Sequence, residues 1–225
     1  MTTAAHPNSR HSQSGGILRP AILALAGVVV LGWLFPPVHF HSLKKQQAEV
    51  ASATFNPTNF AAAFWSGRLL PARDRAADVE KVVATIRTNP TKVREQFGHT
   101  VGLSSSYFLF VRGVGHVVSA DADSIGLSLP AAGTNVEVTV PLGFVFGNAV
   151  RDGCGLLDAS GFPNAQQFND ISAALDRIVE TQVLPEFQKL ATLGKTIQFA
   201  GCVEVTDEDQ DLKPLKLVPI SVAVE

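Results

Sequence analysis

The densest run of chemically able side chains is GFVFGNAVRDGCGLLDASGFPNAQQFND, from Gly143 to Asp170. It holds an adjacent Arg151–Asp152 pair in a glycine-rich turn, the cysteine Cys154, and the amides of Asn164 and Gln167. A guanidinium is a planar fork of donors, so Arg151 with Asp152 is the pair expected to bind an anionic or sugar-like ligand, or a partner. The same two residues can instead form an ion pair or backbone clamp that fixes the turn after a strand, because one arginine satisfies several carbonyls. Asn164 and Gln167 stand three apart just ahead of Phe168. That is the N-x-x-Q form of a capping box, so both are expected to start a helix as a structural cap.

Other motifs point to less. The G-x-G of Gly113–Val114–Gly115 has no third glycine and lies inside a run of strand-forming residues, so it is no nucleotide loop and marks a bend or bulge. Asp207, Asp209 and Asp211 alternate as in a calcium loop, but Leu212 stands where the glycine belongs and Val218 where the closing acid belongs. This tail reads as an exposed hairpin loop. His39 and His41 lack further ligands. No catalytic residue, metal site or cofactor is assigned, since no nucleophile elbow, zincin motif or C-x-x-C occurs. Cys154 and Cys202 are the only cysteines. They can pair as a disulfide in an oxidising compartment, or stand as two small buried thiols.

Hydrophobic residues make up 46% of the 225-residue chain and charged residues 17%, enough apolar material for a core. A net charge of -2 without a basic stripe excludes a nucleic-acid partner. The first 48 residues hold no Asp or Glu. From Ile17 to Val38 the side chains are almost all apolar, long enough for a spanning helix, with Arg19 at one end and Trp33 and His39 near the other. Arg10 and Arg19 before the run against Lys44 and Lys45 after it slightly favour the N-terminus inside. The small-residue Ala51–Ser52–Ala53 lies too far beyond the run to be a well-placed cleavage site, so an uncleaved anchor is expected. The expectation is a single-pass protein of the inner (plasma) membrane, with its C-terminal domain facing the periplasm or cell exterior.

The elements that must carry these residues follow from periodicity. Residues 1–16 read as a disordered cytoplasmic tail, 17–38 as the transmembrane anchor and 39–54 as a linker. Residues 55–98 read as a helical subdomain. Phe60, Phe64 and Trp65 form one helix ending near Gly67; Ala76, Val79, Val82, Val83 and Ile86 share a stripe; Pro90 opens a third helix that Gly98 ends. After Leu103 come β-branched and aromatic runs broken by DADS and PAAGTN, a strand meander. Residues 164–193 read as an inserted helix interrupted near Pro185, followed by two last strands. The fold class is α+β: an OB-like small, partly open β-barrel over 99–225 with a helical subdomain, preceded by one N-terminal transmembrane helix.

The ordered blocks FAAAFWSGRLLPA, REQFG, FLFVRGVGHVVSAD, GNAVRDG, FPNAQQFNDISAALDRIV, LGKTIQFAGCVEV and VPISVAV resemble the DUF2291 family of predicted periplasmic lipoproteins, over about Phe55 to Val224. The resemblance implies an OB-like barrel with a helical subdomain. It also implies a gene often found beside sugar-type ABC transporters, and so ABC transporter components or a small sugar-like ligand as partners. The chain departs from the family in having no cysteine near its N-terminus to carry a lipid; the apolar run would replace it. The expected function is a membrane-anchored, extracytoplasmic accessory or binding protein. An envelope enzyme acting on a sugar or cell-wall fragment, or a structural envelope scaffold, are the alternatives.

Overall fold

The computed structural model describes residues 55–102, 104–130 and 133–225. The expected tail, spanning segment and linker, 1–54, lie outside the described residues. Among the described residues no helix is long and apolar enough to cross a membrane.

Asn56 opens α1 (Pro57–Phe64), its side chain accepting from the Asn59 N–H at 2.9 Å, with Pro57 in the first turn. The helix does not end at Gly67 as expected. It runs on through a π turn, Trp65–Leu69, and a last turn, Leu70–Ala72, because Phe64, Trp65 and Leu69 stay buried on one side. Next, Ala77–Asp78 leave the helical pattern and form β1. Asp78 then caps α2 (Val79–Thr88), accepting from the Glu80 and Lys81 N–H groups at 2.9 and 3.3 Å. Val79, Val82, Val83 and Ile86 are its buried stripe. A shorter α3 (Thr91–Phe97) stops at Gly98.

The long β2 (Tyr107–Ala120) is the spine of a seven-stranded sheet. It pairs antiparallel with β3 (Ser124–Ser128), which pairs with β4 (Val138–Pro141). On its other flank β2 pairs antiparallel with β5 (Thr196–Val205) over ten positions, and β5 pairs with β7 (Val218–Val224). The short β6 (Leu215–Lys216) joins β4 in parallel, and β1 joins β2 in parallel. Register shifts at Val117/Ser119 in β2 and Ala200/Gly201 in β5 bend the sheet into a curled half-barrel. The bend in β2 falls after the G-x-G, not at it. Gly113 has another role: a Cβ there would collide with the Val79 side chain, so the glycine lets α2 start directly over the strand.

Between β4 and β5 run α4 (Ala149–Gly153), α5 (Ala165–Ile178), a π turn (Val179–Val183) and α6 (Leu184–Leu190). Pro185 sits in the first turn of α6, so the helix is interrupted by a change of pitch ahead of the proline. The acidic stretch after β5 makes one helical turn, α7 (Glu208–Asp211), capped by Asp207. The described residues from 55 to 225 belong to one compact unit. The stretch expected as a helical subdomain shares one continuous core with the sheet: Leu69, Val82 and Ile86 cluster with Leu109, Ile197 and Leu217.

Candidate functional site

Arg151 and Asp152 lie in α4 and are not on the surface. They are 5% and 2% exposed. Arg151 Nε donates to Asp152 Oδ1 at 2.7 Å and its Nη2 to Asp152 Oδ2 at 2.8 Å. Its Nη1 donates to the Phe168 carbonyl and to Asn169 Oδ1, each at 3.2 Å. The guanidinium also stacks on the Phe168 ring, 3.8 Å from its centroid. The arginine therefore ties α4 to the first turns of α5. The physical reason is the close seat of α4 on the sheet: a Cβ on Gly153 would stand 2.7 Å from Cys202 Sγ on β5. A charge carried that deep needs a partner, and Asp152 supplies it.

Asn164 begins α5 from an extended backbone, its Oδ1 accepting from the Gln167 N–H at 2.9 Å. Gln167 is buried beside Phe168. Both residues lie at the helix start.

Cys154 and Cys202 are free thiols, so of the two arrangements open to them the disulfide is not made. Cys202 points into the core of β5, fully buried. Burial pushes its thiol well up, and burial likewise raises Cys154. Cys154 shares an open hollow of about 350 Å³ with Arg75, Gln96 and His99. A thiol held protonated there is a poor nucleophile.

A cluster of carboxyl groups missed by sequence reasoning lies beyond α4. Asp176 on α5 is buried, and burial first, then the charges of Glu180 and Glu204, push it up to about 7 against the pull of Arg151. Glu180 Oε1 accepts from the Val145 N–H at 2.8 Å, and Glu204 Oε2 from the Asn148 N–H at 3.2 Å. Ser172 Oγ donates to Asn148 Oδ1 at 2.9 Å. The carboxylates thus hold the loop between β4 and α4 from behind. Among the described residues no group of three or more His, Cys, Asp or Glu side chains is placed to hold a metal ion.

The concave polar feature lies elsewhere. An open groove of about 440 Å³ runs over β1, β2, β5 and β7. Register puts Arg112 opposite Ala200 and Val114 opposite Gln198, while Ser221 and Ala223 face the same two β5 positions from β7. Directly opposed residues point to one face, so Arg112, Gln198 and Ser221 project together. Arg73, Asp74 and Glu80, from the segment around β1, form its polar wall. The groove offers charged forks, carboxylates, an amide and a hydroxyl around one sheet face. The sequence signal was slight: Arg112 interrupts the apolar run from Phe108 to Val114, and Gln198 is the polar residue between Ile197 and Phe199. Neither meant a groove until the register was known.

A curled, mainly antiparallel sheet with helices inserted ahead of its last strands and an open polar groove on one face is an OB-type domain of the α+β class. The chain belongs to the DUF2291 family: the family model, described as a predicted periplasmic lipoprotein, matches residues 28–223. That description gives the protein an address at the periplasmic side of the cell envelope. The fold is similar to the crystal structure of an OB-fold protein from Thermotoga maritima, with a TM-score of 0.67 at 21% identity. The match covers 76% of this chain and 99% of that one. No curated protein matches.

Proposed function

We propose that this protein is a membrane-tethered periplasmic binding protein whose groove takes a small hydroxylated, sugar-like ligand in the service of a solute uptake system. The observation that carries the reading is the gathering of Arg73, Asp74, Glu80, Arg112, Gln198 and Ser221 around one groove. Polyhydroxylated ligands need donors and acceptors together, placed by rigid elements, and strands β2, β5 and β7 are rigid carriers. The apolar run 17–38 is the proposed tether, and the link to uptake comes from the family resemblance. The enzyme reading asks for two titratable groups whose pKa values are pushed apart in one cleft. The raised carboxyl, Asp176, lies outside the groove, which favours binding over catalysis.

The test is thermal unfolding of the full chain in mild detergent with a panel of neutral hexoses and disaccharides. A sugar that raises the melting temperature of the parent, with the rise lost in Arg112→Ala, supports the reading. If no sugar shifts the parent, or if Arg112→Ala responds equally, the groove is not a sugar site. Co-purification of uptake-system subunits from the same detergent extract tests the partner, and recovery of this protein alone speaks against it.

A further inference from the structure

The segment after β4, Leu142 to Asn148, was expected to continue the strand meander and does not. It leaves the sheet at Pro141 and presents two phenylalanines to solvent, Phe144 at 83% and Phe146 at 82% exposure. Their ring centroids are 6.1 Å apart, so they form one aromatic tip. The tip is not a loose end. The Leu142 N–H donates to the Asp123 carbonyl at 2.9 Å, the Val145 N–H to Glu180 and the Asn148 N–H to Glu204. Three bonds to three different parts of the fold hold the backbone while the rings point outward. The apolar surface continues from Phe144 past Leu142 toward exposed Leu193, along neighbouring shallow hollows that share Leu142 and Gln188.

Paired large aromatics on a braced loop are costly to leave in water and mark a docking surface. We propose that this aromatic tip inserts into the interface of the lipid bilayer to which the chain is tethered, resting on the tether proposed above. Reach supports this occupant. Phe55 packs on Phe162, just before the start of α5, while Glu180 grips the aromatic loop just past its end. The length of α5 puts the two sites about 20 Å apart. Residues 39–54, between the apolar run and Phe55, span at most roughly 55 Å, more than that separation, so the tether permits the tip to meet the surface that holds the anchor. Phenylalanine is among the side chains that interfacial segments bury at the headgroup boundary. The carboxylates of Glu180 and Glu204 lie behind the rings, which selects zwitterionic over anionic headgroups.

The experiment uses the full chain reconstituted in phosphatidylcholine vesicles. Trp33→Phe removes the tryptophan of the apolar run, and the buried Trp65 stays as an internal baseline. In this background Phe144→Trp, Phe146→Trp and, as a control on the exposed side of α2, Ala84→Trp are compared in vesicles with and without acyl-brominated lipid. Flotation of the vesicles reports the tether separately. The expected result is flotation of every variant and loss of emission to brominated lipid at positions 144 and 146 but not at 84. Flotation without loss at 144 and 146 overturns the insertion and leaves the tether standing. A blue-shifted but unquenched tryptophan at 144 would mean a protein occupant, such as a second copy, and also overturns it. Failure to float overturns both readings.

Discussion

A buried carboxyl group between two other carboxylates is a poor place for a negative charge, and Asp176 pays for that place by holding its proton. Its pKa is pushed up to about 7, by burial first and by Glu180 and Glu204 next. In the unfolded chain the same group titrates near 4. Between roughly pH 4 and pH 7 the folded state therefore binds a proton that the unfolded state has released, so stability falls as pH rises through that window. Asp176→Asn removes the ionisation and is expected to stabilise the protein at pH 8. The gain is on the order of 1 kcal/mol after discounting the shift for solvent screening. It should vanish near pH 4. Urea midpoints of parent and variant at pH 8 and pH 4.5 check this, and an equal gain at both pH values would exclude the electrostatic cause. The sequence made Arg151 and Asp152 visible as a pair, but charge adjacency alone cannot say which way a pair faces. The clamp reading of the pair depended on α4 sitting tight on β5, and that depended on Gly153, a residue with no side chain to announce it.

Elements are legible where a local rule decides them. The start of α5 is such a case: Asn164, its partner three residues on and the first buried phenylalanine specify a helix N-terminus before any tertiary contact forms. Asn164→Ala is expected to cost about 1 kcal/mol, seen as a lower urea midpoint at unchanged denaturant slope. A loss below a few tenths would mean that packing of Phe168 alone holds the turn. Where tertiary packing overrides the local rule, the sequence misleads. Gly67 would end an isolated helix, yet the chain keeps turning because Leu69 lies buried below it. Val145 and Phe146 would extend a strand by propensity, yet two carboxylates from distant segments take the backbone donors of Val145 and Asn148. Those carboxylates lie 35 and 56 positions from the amides they hold, beyond the reach of any local pattern.

At the scale of the molecule, helices and sheet share one core. Leu69 and Val82 belong to the same apolar cluster as Leu109, Ile197 and Leu217, and β1 stitches the early chain to the central strand. Neither half can bury its apolar face without the other. Residues 55–225 are therefore expected to unfold in a single cooperative step, with near- and far-ultraviolet circular dichroism tracing the same curve. Two separated transitions would mean that the α1–α3 stretch is an autonomous unit. The class of the fold was readable from the alternation of helical and strand-like runs, because periodicity is set by which face is buried. The groove was not readable, because it is made by β1, β2, β5 and β7 at once, and no stretch of sequence contains that adjacency.

The central pairing of β2 with β5 has a consequence for how the chain reaches its shape. Tyr107 meets Val205 and His116 meets Thr196, so the spine of the sheet closes only after some 80 to 98 intervening positions have been joined. Contacts this remote form late and slowly, since loop closure must precede any gain. Until Val205 has emerged, Phe108, Val111 and their neighbours have no strand to pair with on that side, so a chain halted midway through an export channel stays unlocked. The same topology that delays folding thus keeps the chain in a form that can be threaded through a membrane.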